Sequence, residues 1–353
     1  MPENDHAHPR RTLPEDGVFA PNPRGPFVEL GVLSCFSFLR GASDAVDLAS
    51  EAWALGYDAI GIADVNTLAG VVRLYLEATR AGLRPLIGCR LELVCGAQFL
   101  AYPVDRDAYG RLSTLLSKGK RGRPDGSWQD KAVTEMTLAD LAAHQEGLQL
   151  IVLPPANLDH FARDLPRYIH ALPQMRHIAA AYLYRGDDVA RINRLDSLAM
   201  RHGLAILASN DVLYHAPDRR PLQDVMSCIR EKCTIHTAGA RLEANGERHL
   251  KPAGEMQRLF APWPHAIAAT RKVADACRFD LRDLRYEYPS ETLPAGRDAD
   301  DVLRENTYAG AALRWPDGLP AKTRDVIERE LAMIAKLEIA RYILTIESIV
   351  KFA

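Results

Sequence analysis

Asp58-Ala59-Ile60-Gly61-Ile62-Ala63-Asp64 is the stretch that decides the fold class. It is short and apolar and has no polar face. A strand of that kind is buried on both sides, as in a parallel sheet covered by helices. The neighbouring segments agree. Phe27–Leu33 reads as a strand. Ser43-Asp44 supplies an N-cap for a helix from Ala45 to Leu55, which Gly56 ends. A second helix, from about Ala69 to Ala81, is closed by Gly82, and Pro85–Leu93 reads as the next strand. Strand, helix, strand, helix, strand is the mark of an α/β domain with parallel strands.

The rhythm continues outward. Gln98–Val104 is strand-like and Asp107–Leu116 helical, and Lys118–Asp130 reads as a basic, glycine-containing loop. Leu138–Gln145 is helical, and Leu148–Leu153 is an apolar strand ended by Pro154-Pro155. His177–Tyr184 reads as a strand, Asp187–His202 as a helix and Ala205–Ser209 as a strand. After about Phe279 the pattern changes. Residues 280–296 carry prolines and charges and read as a linker. Asp300–Arg314 and Ala321–Leu337 are amphipathic helices, and Tyr342–Phe352 is strongly apolar. An apolar run of that kind needs a partner to bury it, so the chain is expected to be cut short relative to a larger parent. The expected organisation is a leader over 1–26, an α/β domain over 27–279, a linker over 280–296 and a helical segment over 297–353.

Composition narrows the function classes. With 353 residues, 47% hydrophobic and 25% charged, the chain is of ordinary globular type. No run of about 18 apolar residues exists, so no membrane span is expected. The polar, Pro-, His- and Arg-rich stretch 1–26 is not a signal peptide and is expected to be disordered, which together with the rest implies a cytoplasmic protein. A net charge of −2 does not suggest a nucleic-acid coat protein, although local patches can still bind DNA. The six cysteines contain no Cys-x-x-Cys pair, and Cys228 and Cys233 have the wrong spacing for a zinc knuckle. They are expected to be reduced thiols.

Parallel α/β domains gather chemistry at the C-terminal ends of their strands. Four such segments stand out: Glu29-Leu30-Gly31-Val32-Leu33-Ser34, Asp64-Val65-Asn66, Gly88-Cys89-Arg90, and Ser209-Asn210-Asp211-Val212-Leu213-Tyr214. They resemble the PHP (polymerase and histidinol phosphatase) domain that opens bacterial C-family DNA polymerases, a distorted β/α barrel. In metal-binding members of that family these places hold His-x-His, Asp-His, Gly-x-Glu and Asp-x-His, which carry the metal ions that activate water. Here the positions are Gly31 and Leu33, Asp64 and Val65, Arg90, and Asp211 and Leu213. Glycine, leucine and valine have no lone pair for a cation, and Arg90 puts a fixed positive charge where a metal would sit. No metal and no hydrolytic activity are therefore expected. Asp64 and Asp211, the surviving carboxylates, are expected to form a salt bridge with the arginine, and a turn or helix-cap role is the alternative for Asp211.

Longer stretches carry a closer resemblance, to the error-prone branch of that polymerase family. They are Ser34–Ser43, Asn210–Pro217 with Arg219–Val225, Arg241–Asn245, Glu247–Pro252, and Leu284–Pro289 at the join to the polymerase body. Glu330–Ile334 and Tyr342–Ala353 are similar to the opening helices of the palm. The resemblance implies nucleotide transfer on damaged templates by a parent enzyme that uses Mg2+, DNA and deoxynucleotides, with a sliding clamp and mutagenesis-cassette proteins as partners. The three palm carboxylates that such chemistry needs lie beyond Ala353 in the family, so no catalytic residue is expected in this chain. Asp298-Ala299-Asp300-Asp301 reads as a helix N-cap instead. Lys118, Lys120, Arg121 and Arg123 are candidate DNA contacts, because glycines between them allow close approach to phosphates. His215 is expected in a turn, Arg219-Arg220 as a surface pair at a helix start, and Trp53 in the core. A metal-dependent phosphoesterase or exonuclease and a non-catalytic interaction module are the alternatives.

Overall fold

The computed structural model describes residues 25–121, 129–130, 133–284 and 293–352. Residues 1–24 of the leader expected over 1–26, Arg123, and residues 285–292 of the linker expected over 280–296 lie outside the described residues. The chain divides into two compact units, ending and beginning at Asp283 and Leu284.

Among the described residues, the first unit holds seven strands: β1 (Glu29–Val32), β2 (Ala59–Val65), β3 (Arg84–Glu92), β4 (Gln98–Pro103), β5 (Leu148–Leu153), β6 (Met175–Ala181) and β7 (Ala205–Ser209). Its helices are α1 (Ala45–Ala54), α2 (Val71–Arg80), α3 (Arg106–Lys120), α4 (Leu138–His144), α5 (Leu158–Ala171), α6 (Asp188–Arg201), α7 (Arg220–Arg230), α8 (Ala253–Leu259) and α9 (Pro264–Ala276). The strands lie in one sheet in sequence order, β1 to β7. All neighbours are parallel except β4, which runs antiparallel to both β3 and β5. The cause is local. Only residues 93–97 join β3 to β4, too few for a crossover, and Gly96 takes the left-handed turn at φ +82°. Past β7 the chain returns beside β1: Leu33 N donates to Val212 O at 3.0 Å and Val212 N to Gly31 O at 2.8 Å. The sheet therefore curls until its two edges meet.

Strand alternation sorts the core. One face of the sheet carries Leu30, Ala59, Ala63, Leu86, Leu100, Tyr102, Ile151, Ala179 and Leu207, with α9 packed against them through Ala269 and Val273. The other face carries Ile60, Ile62, Ile87, Phe99, Val152 and Ile178 against the surrounding helices. Gly61 on β2 and Gly88 on β3 leave room on the inner face for the ring of Tyr102, whose hydroxyl donates to Leu30 O. A Cβ on Gly88 would lie 2.5 Å from that ring and one on Gly61 would lie 2.5 Å from the hydroxyl. Gly88→Ala is therefore expected to lower stability by about 1–3 kcal/mol, through overpacking against a ring that cannot retreat. Urea denaturation of the variant beside the wild type measures it, and an unchanged midpoint would contradict the packing described.

Helix boundaries follow local chemistry. Asp44, rather than Ser43, caps α1, accepting from Asp47 N. Thr137 and Asp140 form a reciprocal capping box on α4. Helix α5 is one that the sequence pattern conceals, because Pro154, Pro155 and the internal Pro166 suggest a loop. Asn157 caps it, and Leu158, Phe161, Leu165 and Tyr168 bury one helical face. The loop expected to start at Lys118 begins later, since α3 continues through Lys120.

The second unit contains α10 (Ala299–Arg314), α11 (Ala321–Lys336) and α12 (Ala340–Phe352). Asp298 caps α10, accepting from Asp300 N and Asp301 N. A small core of Val302, Leu303, Leu331, Ala340 and Leu344 holds the three helices together. Among the described residues, no helix is long and apolar enough to cross a membrane.

Candidate functional site at the strand ends

The curled sheet brings the four strand-end segments together at one mouth. Leu33, Val65 and Leu213 pack there with Ala42, Tyr214 and Met226 as one apolar cluster. Three places that could have faced a metal thus touch each other instead. Gly31 is buried, and a Cβ on it would lie 2.6 Å from Ser209 Oγ, 3.2 Å from Glu29 Oε1 and 3.3 Å from Asp211 Cα. A histidine cannot be placed at position 31 without moving its neighbours.

The charged half of the mouth is built around Asp211. Arg90 Nη1 donates to Asp211 Oδ1 at 2.7 Å, and Arg248 Nη2 donates to Oδ2 at 2.5 Å. Arg248 Nε also donates to Asp211 O at 2.8 Å, and its Nη1 to Glu243 Oε1 at 2.6 Å. Arg90 spends two more donors on Gln98 Oε1, at 3.1 and 2.6 Å. Gln98 in turn donates to Glu92, which pairs with Arg40. Burial pushes the Asp211 carboxyl up, but Arg248 and Arg90 outweigh it and hold it down at about 2. The side chains of Arg90, Asp211 and Arg248 are only 11%, 20% and 12% exposed, so water screens the pairs little.

Asp211 therefore acts neither as a turn former through its side chain nor as a helix cap, but as the shared anion of two guanidinium groups. Asp64 does not join that bridge. It accepts from Ser34 N, Ser34 Oγ and Ser37 Oγ at 2.8, 2.7 and 2.6 Å, while burial raises its pKa. The expected three-way pairing of both carboxylates with Arg90 thus holds for Asp211 alone, because the serines of the loop after β1 reach Asp64 first. His215 is buried, shares a hydrogen bond with Ser43 Oγ at 2.8 Å and lies 3.8 Å from Asp47. Arg219 pairs with Asp47 and Arg220 donates to Glu243 O, so this pair is tied inward rather than free on the surface. Trp53 packs, partly buried, against the larger core cluster.

Two groups at the mouth do not stand out in the sequence. One is Arg248, which arrives on a loop that returns to the mouth, its carbonyl accepting from Leu213 N at 2.9 Å. The other is Glu29, fully buried where β1 meets the chain leaving β7. It accepts from Gly31 N at 2.8 Å, Ser209 Oγ at 2.7 Å and Asn210 N at 2.6 Å. Its position in an apolar strand was the available signal, because a buried carboxylate must find donors.

Beside the bridge lies a cavity of about 400 Å³, lined among others by Arg90, Gln98, Arg185, Arg191, Asp211 and Arg248. Among the described residues, no group of three or more His, Cys, Asp or Glu side chains is placed to hold a metal ion. The donor set present does not fit the metal cluster of metal-binding PHP members. The carboxylate of Asp211 that faces the cavity is held ionised and saturated by arginines, so it is no general base.

The basic candidates lie apart, at the end of α3. Lys118 pairs with Asp140 at 2.6 Å, and Gly119 is buried against Met136, 2.6 Å from where its Cβ would be. Gly119 thus serves helix packing rather than approach to phosphate. Lys120 and Arg121 are exposed.

Residues 29–183 match the model of the PHP domain. Over 93% of its length the chain is similar to curated relatives named error-prone DNA polymerase. One, from Caulobacter vibrioides, is 45% identical over 329 residues, and another, from Rhodopseudomonas palustris, is 45% identical over 337. The chain spans about 30% of the length of each of these relatives. Among solved structures, an amidohydrolase from Chromobacterium violaceum is similar with a TM-score of 0.42 at 14% identity, covering 53% of this chain and 87% of that one. A likeness that distant says nothing about chemistry.

Proposed function

We propose that this chain, a PHP-domain protein, is the N-terminal portion of an error-prone DNA polymerase, in which the PHP fold acts as a scaffold without hydrolytic chemistry. The single observation that carries the parentage is 45% identity along 93% of the chain to a polymerase of that name. The scaffold role is supported by the mouth itself. Where metal-binding relatives place ligands, this chain has an apolar cluster and a guanidinium–carboxylate–guanidinium bridge. Fixed positive charges hold the strand ends together there, as metal ions do elsewhere.

On this reading nucleotide transfer, with Mg2+, deoxynucleotides and a DNA primer-template, belongs to palm carboxylates outside this chain. Lys120 and Arg121 would touch DNA phosphates, while Lys118 is committed to Asp140. A sliding clamp and other proteins of damage-induced mutagenesis would be partners of the whole polymerase, acting in the cytoplasm.

Two measurements test the proposal. Titration with Zn2+ or Mn2+ is expected to give no stoichiometric binding, and phosphate esters and single-stranded DNA are expected to stay uncut. One tightly bound ion per chain with turnover would revive the phosphoesterase reading. A chimaera joining this chain to the remaining length of the Caulobacter relative is expected to extend primers. A folded chimaera without extension would count against the parentage.

A further inference from the structure

The end of α7 has a geometry that the function above does not use. Lys232 takes a left-handed backbone, φ +52°. Its N–H donates to Ile229 O at 3.3 Å, and Cys233 N donates to Cys228 O at 3.0 Å. These are the paired bonds of a Schellman motif, which folds the chain back so that the residue two past the cap meets the third from the helix end. Apolar side chains commonly fill those two places. Here both are cysteines, held next to each other by the backbone bond from Cys233 N to Cys228 O. Cys228 is buried and Cys233 is partly exposed.

We propose that Cys228 and Cys233 form a dithiol modification site that takes small-molecule disulfides such as glutathione disulfide and closes to an intramolecular disulfide. The backbone already holds the two residues as neighbours, so closure needs side-chain rotation rather than a change of fold. Solvent reaches Cys233 first. Its thiolate attacks one sulfur of glutathione disulfide, forming a mixed disulfide and releasing one glutathione thiolate. The Cys228 thiolate then attacks the Cys233 sulfur and expels the second glutathione. Two protein thiols are oxidised to one disulfide, one glutathione disulfide is reduced to two thiols, and the two protons pass to the released thiolates. Burial and the neighbouring sulfur push the Cys228 thiol up, which fits a second, resolving role. The competing thiols differ in setting. Cys89 and Cys277 are buried and pushed up to about 12, whereas Cys35 and Cys95 are exposed and have no adjacent thiol described.

The test uses the full chain carrying Cys35→Ser and Cys95→Ser, so that adducts on exposed thiols do not obscure the result. After exposure to glutathione disulfide, alkylation and peptide mapping, the expected result is a loss of two alkylatable thiols and a peptide joining residues 228 and 233 that is lighter by two hydrogens. Adding Cys228→Ser is expected to leave glutathione trapped on Cys233. Adding Cys233→Ser is expected to leave Cys228 unmodified. Circular dichroism melting of each variant confirms folding. Recovery of both thiols as alkylated cysteines from folded, oxidant-treated protein would overturn the proposal, as would a folded Cys228→Ser variant that takes no glutathione at Cys233.

Discussion

Asp211→Ala is expected to destabilise the first unit by about 3–5 kcal/mol, because it strands two nearly buried guanidinium groups at once. Arg90 and Arg248 each donate to a different oxygen of this carboxylate, at 2.7 and 2.5 Å. Removing it leaves two positive charges facing each other across the mouth. Replacing the bridge as a whole, with Asp211→Leu, Arg90→Met and Arg248→Met together, is expected to recover much of the loss, since no unpaired charge then remains. Equilibrium urea unfolding measures both. A single-variant cost below about 1 kcal/mol would show that water already carries these charges. The bridge also sets a pH dependence. The folded carboxyl titrates at about 2, below its ordinary value of 3.8. Its contribution is therefore complete above about pH 4 and is lost as pH falls through about 2. The loss is about 2 kcal/mol over that window. In Asp211→Asn this part of the acid dependence should vanish, which unfolding midpoints measured at successive pH values would reveal.

Glu29→Ala is the second large effect, expected at about 3 kcal/mol or more. Glu29 is fully buried and accepts from Gly31 N, Ser209 Oγ and Asn210 N at the seam that closes the sheet. Each buried donor left without an acceptor costs about 1–3 kcal/mol. No side chain of alanine's size can replace the acceptor, and the seam is too tight for easy repair, since Gly31 already lies against Ser209. Glu29→Gln should fall between wild type and alanine: one oxygen still accepts, while the amide nitrogen meets a donor. Amide hydrogen exchange at Gly31, Val212 and Leu33 is the sharper readout. If exchange there stays slow in Glu29→Ala, the carboxylate does not hold the seam.

Much of the architecture was legible because it depends on local patterns. Apolar runs such as Leu148–Leu153 and Ala205–Ser209 mark strands wherever they pair, and Gly56 and Gly82 end helices because left-handed backbone suits them. The direction of β4 was less legible, since it follows from the five-residue connection before it rather than from the strand's own composition. Helix α5 was hidden by its prolines, although Asn157 and the spacing of Leu158, Phe161, Leu165 and Tyr168 carried the signal. At the site, the absence of ligand side chains could be read residue by residue. Their replacements could not be paired that way. Arg248 lies 37 positions from Asp211 and reaches it only because the following loop returns to the mouth.

By itself, the sequence determined which groups could not coordinate a cation: Gly31, Leu33, Val65 and Leu213 carry no lone pair on their side chains, and Arg90 is itself a cation. Only the tertiary structure decided what these positions do instead. Curling the sheet packs three of them into one apolar cluster, places Asp211 between two arginines, and leaves Asp64 to the serines and Glu29 to the seam. Side-chain identity fixes charge and lone pairs, whereas the partner a buried charge finds depends on which distant segments the closed sheet brings within about 3 Å.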